Sequence, residues 1–126
     1  MIQVLRRPVS LERVLKSMKS DSSGSLVIHI GVVRPSSEGK KVVFIEYQAE
    51  KLEGEKELFQ IAAEIRDRWE IQDIALCRRI GNLKVGEVIL LSAVAARHRK
   101  EAFEACEEAV ERMRNMKSVK KKEILK

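Results

Sequence analysis

The stretch from Ser92 to Cys106, Ser-Ala-Val-Ala-Ala-Arg-His-Arg-Lys-Glu-Ala-Phe-Glu-Ala-Cys, constrains this chain most. It begins as the end of an apolar strand and finishes inside an amphipathic helix, so a strand and a helix must meet within a few residues. Arg97, His98 and Arg99 stand at the change-over, and Lys100 follows. A helix start carries about +0.5 of partial charge and favours acids. Its free N–H groups are also a ready site for an anion. Basic residues there read either as a solvated turn or as one wall of an anion site.

The rest of the chain alternates between two periodicities. Ile2–Leu5 reads as a short strand, closed by Arg6-Arg7-Pro8. Ser10 reads as a helix N-cap, with Glu12 in the first turn and Leu11, Val14, Leu15 and Met18 at helical spacing. Asp21-Ser-Ser-Gly24 ends that helix. Leu26–Val33 is a strand in which Gly31 marks a bulge or a close backbone approach. Arg34–Gly39 is a polar loop and Lys41–Ala49 a second strand. Leu58, Ile61, Ala62, Ile65 and Trp69 define one face of a helix from about Leu52 to Trp69. Ile74–Ile80 and Val88–Ala95 are further strands, with a turn or short strand at Asn82–Gly86. The last helix spans about Arg99 to Met116, with Phe103, Cys106, Val110 and Met113 as its stripe, widened by Ala102 and Ala109. The order β-α-β-β-α-β-β-α implies one α+β domain over residues 1–126, a mixed sheet with helices packed on one face. The tail 117–126 has no clear period and is expected either to be mobile or to order on a ligand or partner.

Composition narrows the function classes. No apolar run approaches a membrane span, and the N-terminus lacks a signal-peptide pattern, so a cytoplasmic protein is expected. Two cysteines, Cys77 and Cys106, each in an apolar segment, read as small buried hydrophobes. With only His29 and His98, no metal site is expected; His29 reads as a core or cross-strand residue. One Trp and one Tyr make a base-stacking platform, and hence nucleic-acid binding, a poor fit. Residues 112–126 hold seven basic residues and one acid, which is the whole formal net charge of +6. The partner of this end is therefore anionic. No nucleophile triad, Walker loop or dinucleotide fingerprint is present.

Three basic clusters remain: Arg34 at a strand end, His98 with Arg99 at the strand-to-helix junction, and Arg114 to Lys122. If they share a rim they form a cationic pocket for a phosphorylated small molecule. Arginine suits phosphate because its planar fork binds two oxygens at once. A lysine there could act as an acid–base or an amine.

At these clusters the sequence resembles a known family. The motifs are Gly31-Val-Val-Arg34, Ile45-Glu-Tyr47, Glu55-Lys56, Arg68-Trp69, Arg79-Ile-Gly81 with Val85-Gly-Glu87, His98-Arg99 with Glu101-Ala-Phe-Glu-Ala-Cys106, and Lys121-Lys-Glu123. Each is weak alone; together, in order, they resemble the large, catalytic subunit of molybdopterin synthase, the MoaE family. The resemblance implies an α/β hammerhead-type fold with an additional small β portion. It implies no cofactor. It implies a homodimer within a heterotetramer, each subunit binding a small ubiquitin-like sulfur-carrier subunit whose C-terminal Gly-Gly enters the site as a thiocarboxylate. The substrate would be cyclic pyranopterin monophosphate, also called precursor Z, which receives two sulfurs in turn to form the dithiolene of molybdopterin. By position, Arg34, His98, Arg99 and Lys121 match residues of the substrate and anion pocket.

The chain departs from that pattern in places. Arg114 stands where the family's catalytic lysine is expected, with Lys117 about one turn later as a substitute, so Lys121, Lys117 and Arg114 are the catalytic candidates. Arg78 stands where a histidine is usual, and Lys120 where an aromatic residue is. Chains of the family usually continue beyond Lys126. The alternative function is a catalytically impaired member that serves as a scaffold for the carrier protein.

Overall fold

The computed structural model describes residues 1–19 and 21–126. Its first sheet is built from β1 (Ile2–Leu5), β2 (Ser25–Val32), β5 (Asp73–Arg79) and β7 (Val88–Ala96), in the order β1-β5-β7-β2. β1 and β5 are parallel and the other pairs antiparallel, so the sheet is mixed, as expected. Among the described residues three helices accompany it: α1 (Leu11–Ser17), α2 (Lys51–Arg68) and α3 (Arg99–Arg114).

The period of two in β5 and β7 assigns their side chains. Ile74, Leu76, Leu90 and Val94 face α2 and α3, where they join Leu58, Ile61, Ile65, Ala105, Ala109 and Met113 in the main core. Ala75, Cys77, Leu91, Ala93 and Ala95 face the other way and meet Val14 and Met18 around the short α1. Helices therefore lie on both faces rather than on the one expected, because β5 and β7 are apolar on both sides and α1 covers the second; so covered, the two central strands are continuous apolar runs rather than alternating ones. Ser10 caps α1, its Oγ accepting from the Arg13 N–H at 3.3 Å.

The α2 stripe lies as its spacing predicts, with Leu58, Ile61, Ala62 and Ile65 all buried. The α3 stripe is rotated from the expected one. Phe103 is 56% exposed, and the buried line is Ala102, Ala105, Cys106, Ala109 and Met113. The small alanines let α3 lie close on β7 and β2, which a phenylalanine in that line would prevent. The helix also ends at Arg114, capped by Asn115, rather than at Met116.

The small β portion is a second sheet around β4 (Lys40–Gln48). Two of its strands differ from expectation. Ser36–Ser37 (β3), in the segment read as a loop, pairs with Lys40 and Lys41 across a tight turn at Glu38 and Gly39. The basic tail forms β8 (Lys120–Leu125), antiparallel to β4, with Lys121 opposite Tyr47 and Glu123 opposite Ile45. The tail thus orders on its own chain. Its polar-rich composition hid a strand that leans on an apolar neighbour. β6 (Gly81–Leu83) pairs with β4 from Ile45 to Tyr47. Among the described residues, no helix is long and apolar enough to cross a membrane.

Candidate functional site

A cleft of about 380 Å³ lies where the end of β2, the β3–β4 hairpin, the C-terminal end of α3 and β8 come together. Its position follows from local chain geometry. The register of β2 against β7 shifts between Gly31 and Val32, the bulge that Gly31 suggests. A side chain at Gly31 would come within 3.3 Å of Leu90 Cγ, so the backbone passes close to β7 there. Beyond the bulge Arg34 turns into the cleft.

β8 selects among the tail lysines by its period of two. Val119, Lys121 and Glu123 line the cleft, whereas Lys120 and Lys122 do not. Lys121 Nζ pairs with Glu123 Oε1 at 3.2 Å. Glu123 is held below the usual carboxylate range by a hydrogen bond from Ser37 first, then by Lys121 and the charge of Arg34. Arg114, from the last turn of α3, lines the same space. Arg34, Arg114 and Lys121 are therefore brought together. Lys117 is not among the lining residues. α3 has already ended, and the turn that follows is tied to α2: Glu57 accepts from the Lys117 and Ser118 N–H groups at 2.8 and 2.9 Å and from Ser118 Oγ at 2.6 Å.

Within one chain, His98 and Arg99 stand apart from this cleft. Both are exposed, at the opposite end of α3 from Arg114, roughly 22 Å away along the helix at 1.5 Å per residue. The reason is topological. β7 is antiparallel to β2, so the end of β7 lies beside Ser25 at the start of β2, while Arg34 follows the end of β2. The expected shared rim is thus divided between the two ends of one strand. His98 takes the N-cap backbone position of α3 without a side-chain capping bond, and Glu101 supplies the acid that the first turn favours.

His29, Tyr47 and Arg78 also line the cleft, though none of them is a site candidate on sequence grounds. His29 is cross-strand from Ser92, as expected, but exposed, and it faces the cleft. Its signal was its phase with Gly31 on β2. Tyr47 forms part of the wall, and the Arg78 guanidinium lies over its ring at 4.2 Å from the centroid. Arg78, only 4% exposed, is in phase with Leu76 on the α3 side of β5. Its neighbour Arg79 points to the other side and has a partner, Glu87, at 3.2 Å.

The cysteines are buried, as expected. Burial pushes the Cys77 thiol up to about 11 and also raises Cys106, whose Sγ lies 3.5 Å from the Ser92 carbonyl. Both are protonated at neutral pH and poorly suited to carry sulfur. No group of residues fit to hold a metal ion occurs among the described residues.

Comparison with known proteins gives a consistent picture. The family model described as "MoaE protein" matches residues 4–116. The chain is 37% identical over 122 residues to the molybdopterin synthase catalytic subunit of Bacillus subtilis strain 168, covering 97% of this chain and 78% of that protein. It is 36% identical over 125 residues to the protein of the same name from Pyrococcus abyssi, covering 98% and 84%. The crystal structure of molybdopterin synthase from Staphylococcus aureus superposes with a TM-score of 0.92 at 32% identity, covering 99% of this chain and 91% of that one.

Proposed function

The chain belongs to the MoaE protein family, and from that membership we propose that it is the catalytic subunit of a molybdopterin synthase. In this reading it moves sulfur from a thiocarboxylated small carrier subunit to cyclic pyranopterin monophosphate, twice, to form the dithiolene. The observation that carries the proposal is the gathering of Arg34, Arg114 and Lys121 around one cleft. Both reactants are anions: a cyclic phosphodiester and a thiocarboxylate. Drawing them together needs several fixed cations, and a partly water-free cleft strengthens each attraction. Arg34 and Arg114 hold charge and orient oxygens but do not give up protons. Lys121 is the one amine among the lining residues, so proton transfer or amine chemistry falls to it.

His98 and Arg99 enter through a second copy of the chain. β2 is an edge strand with Leu26, Ile30 and Val32 exposed, a row that invites pairing. If two β2 edges pair antiparallel about a two-fold axis, the Ser25 end of one lies beside the Val32 end of the other. That places His98 and Arg99 of the second copy at the mouth of the first copy's cleft. This arrangement gives the junction cations the anion they need.

The protein mixed with thiocarboxylated carrier and precursor Z is expected to make molybdopterin; no product from a fully loaded carrier refutes the activity. The scaffold alternative is favoured by one observation, that Arg114 lines the cleft at the position of the expected lysine. Activity that appears only in Arg114→Lys would establish it.

A further inference from the structure

Arg78 is a buried cation without a counter-ion. It is 4% exposed, and none of the ion pairs among the described residues includes it. Its Nη1 donates to the Arg79 carbonyl at 2.9 Å and to the Ile89 carbonyl at 3.4 Å, and the guanidinium lies on the Tyr47 ring. Its Nε is buried and has no partner. Two carbonyls and a ring face compensate only part of the cost of taking a guanidinium out of water. Burial works against the charge, with Tyr47 offsetting some of it.

The side chain nevertheless forms part of the cleft wall. The same wall holds Arg34, Arg114 and Lys121, and Glu123 is the one acid among the lining residues, already paired with Lys121. The lining thus spares no carboxylate for Arg78, and an anion held in the cleft would supply the counter-ion. We propose that Arg78 is an oxyanion-binding residue at the floor of this cleft, its missing counter-ion being a phosphate or carboxylate group of the ligand. Arg34, Arg114 and Lys121 meet the ligand nearer the solvent and exchange it with water. Arg78 meets it in the dry part, where a charge-assisted hydrogen bond is strongest. Its place on the rigid β5, backed by Tyr47, keeps the fork oriented before the ligand arrives. The proposal uses the synthase reading only to name the two sources of oxyanion, substrate phosphate and carrier carboxyl terminus.

The test is calorimetric binding of inorganic phosphate and, separately, glycylglycine to the full chain, with Arg78→Met and Arg78→Lys alongside, and melting curves without either probe. Arg78→Met is expected to lose about tenfold or more in affinity for at least one probe. It is also expected to melt no lower than wild type, because an apolar side chain relieves the unpaired charge. Loss for phosphate assigns the floor to the substrate, and loss for glycylglycine assigns it to the carrier tail. Unchanged affinity for both probes overturns the proposal, and so does a lowered melting point with affinity intact, the mark of a purely structural arginine. If Arg78→Met does not fold, Arg78→Lys decides in the same way, since it keeps the charge and loses the fork. Reduced probe affinity in a chain that makes no molybdopterin would refute the synthase reading and leave this one standing.

Discussion

Replacing Glu57 with alanine is expected to loosen β8 at its start and draw Lys121 out of the cleft. Glu57 lies on α2, yet its carboxylate accepts three hydrogen bonds from the turn before β8: two N–H groups and the Ser118 hydroxyl. Its pKa is the resultant of opposed effects. Desolvation, the largest single one, raises it, but the bonds from Ser118 and Lys117 and the Lys117 charge together bring it below the ordinary carboxylate value of 4.5. Bonds to a charged acceptor are worth about 1.5 kcal/mol or more each. Solvent screening at a partly exposed carboxylate reduces the three together to about 2 kcal/mol. That corresponds to about 30-fold faster opening of the strand start. Hydrogen exchange of the β8 amides reads it directly. The amides near the start of β8 that bond to β4 should lose protection most, while the far end, held where the Lys126 N–H donates to the Lys41 carbonyl at 2.9 Å, should lose least. The pH dependence has a definite sign. A depressed carboxylate contributes its full stability above its unfolded value of 4.5 and loses it as the pH falls through the lower folded value. Wild type at low pH should therefore show the same graded loss that Glu57→Ala shows at pH 7. Equal protection of β8 in wild type and Glu57→Ala would refute the reasoning.

Three further outcomes are expected. Lys121→Ala should lower molybdopterin formation by about a hundredfold, whereas Lys122→Ala, whose side chain does not line the cleft, should stay within about twofold; comparable losses in initial-rate assays would contradict the strand phase. The double variant Cys77→Ala/Cys106→Ala should keep the sulfur-transfer rate while losing about 1–2 kcal/mol in urea unfolding, and loss of transfer in the folded variant would refute the reading of both thiols as bystanders. Because the folded chain keeps the Cys77 proton up to about 11, wild-type stability should fall as pH rises above the ordinary thiol value of 9.0.

Much of this molecule was legible in residue order. The α2 stripe, the Ser10 cap, the apolar runs of β5 and β7 and the bulge at Gly31 are local signals, set by periods of 3.6 and 2 and by glycine's lack of a side chain. The motif set from Gly31 to Glu123 points to the family, and Arg34, Arg114 and Lys121 all stand in basic clusters that residue order alone marks. Four matters could be settled only in three dimensions. Whether the lysine-rich tail is a strand depended on β4 offering an unpaired edge, which no property of Lys120–Leu125 reveals. Which tail lysine reaches the cleft depended on the β4–β8 register, since a slip of one residue would have presented Lys120 and Lys122 instead. The separation of His98 and Arg99 from Arg34 depended on β7 running antiparallel to β2, which sends residues adjacent in chemistry to opposite ends of a strand. The same holds for Arg78: in sequence it is one of two neighbouring arginines, and only the phase of β5 decides that Arg79 finds Glu87 while Arg78 faces a cleft with no carboxylate to spare. Local periodicity determines which face a side chain takes; pairing direction and register, which are long-range, determine what it meets there.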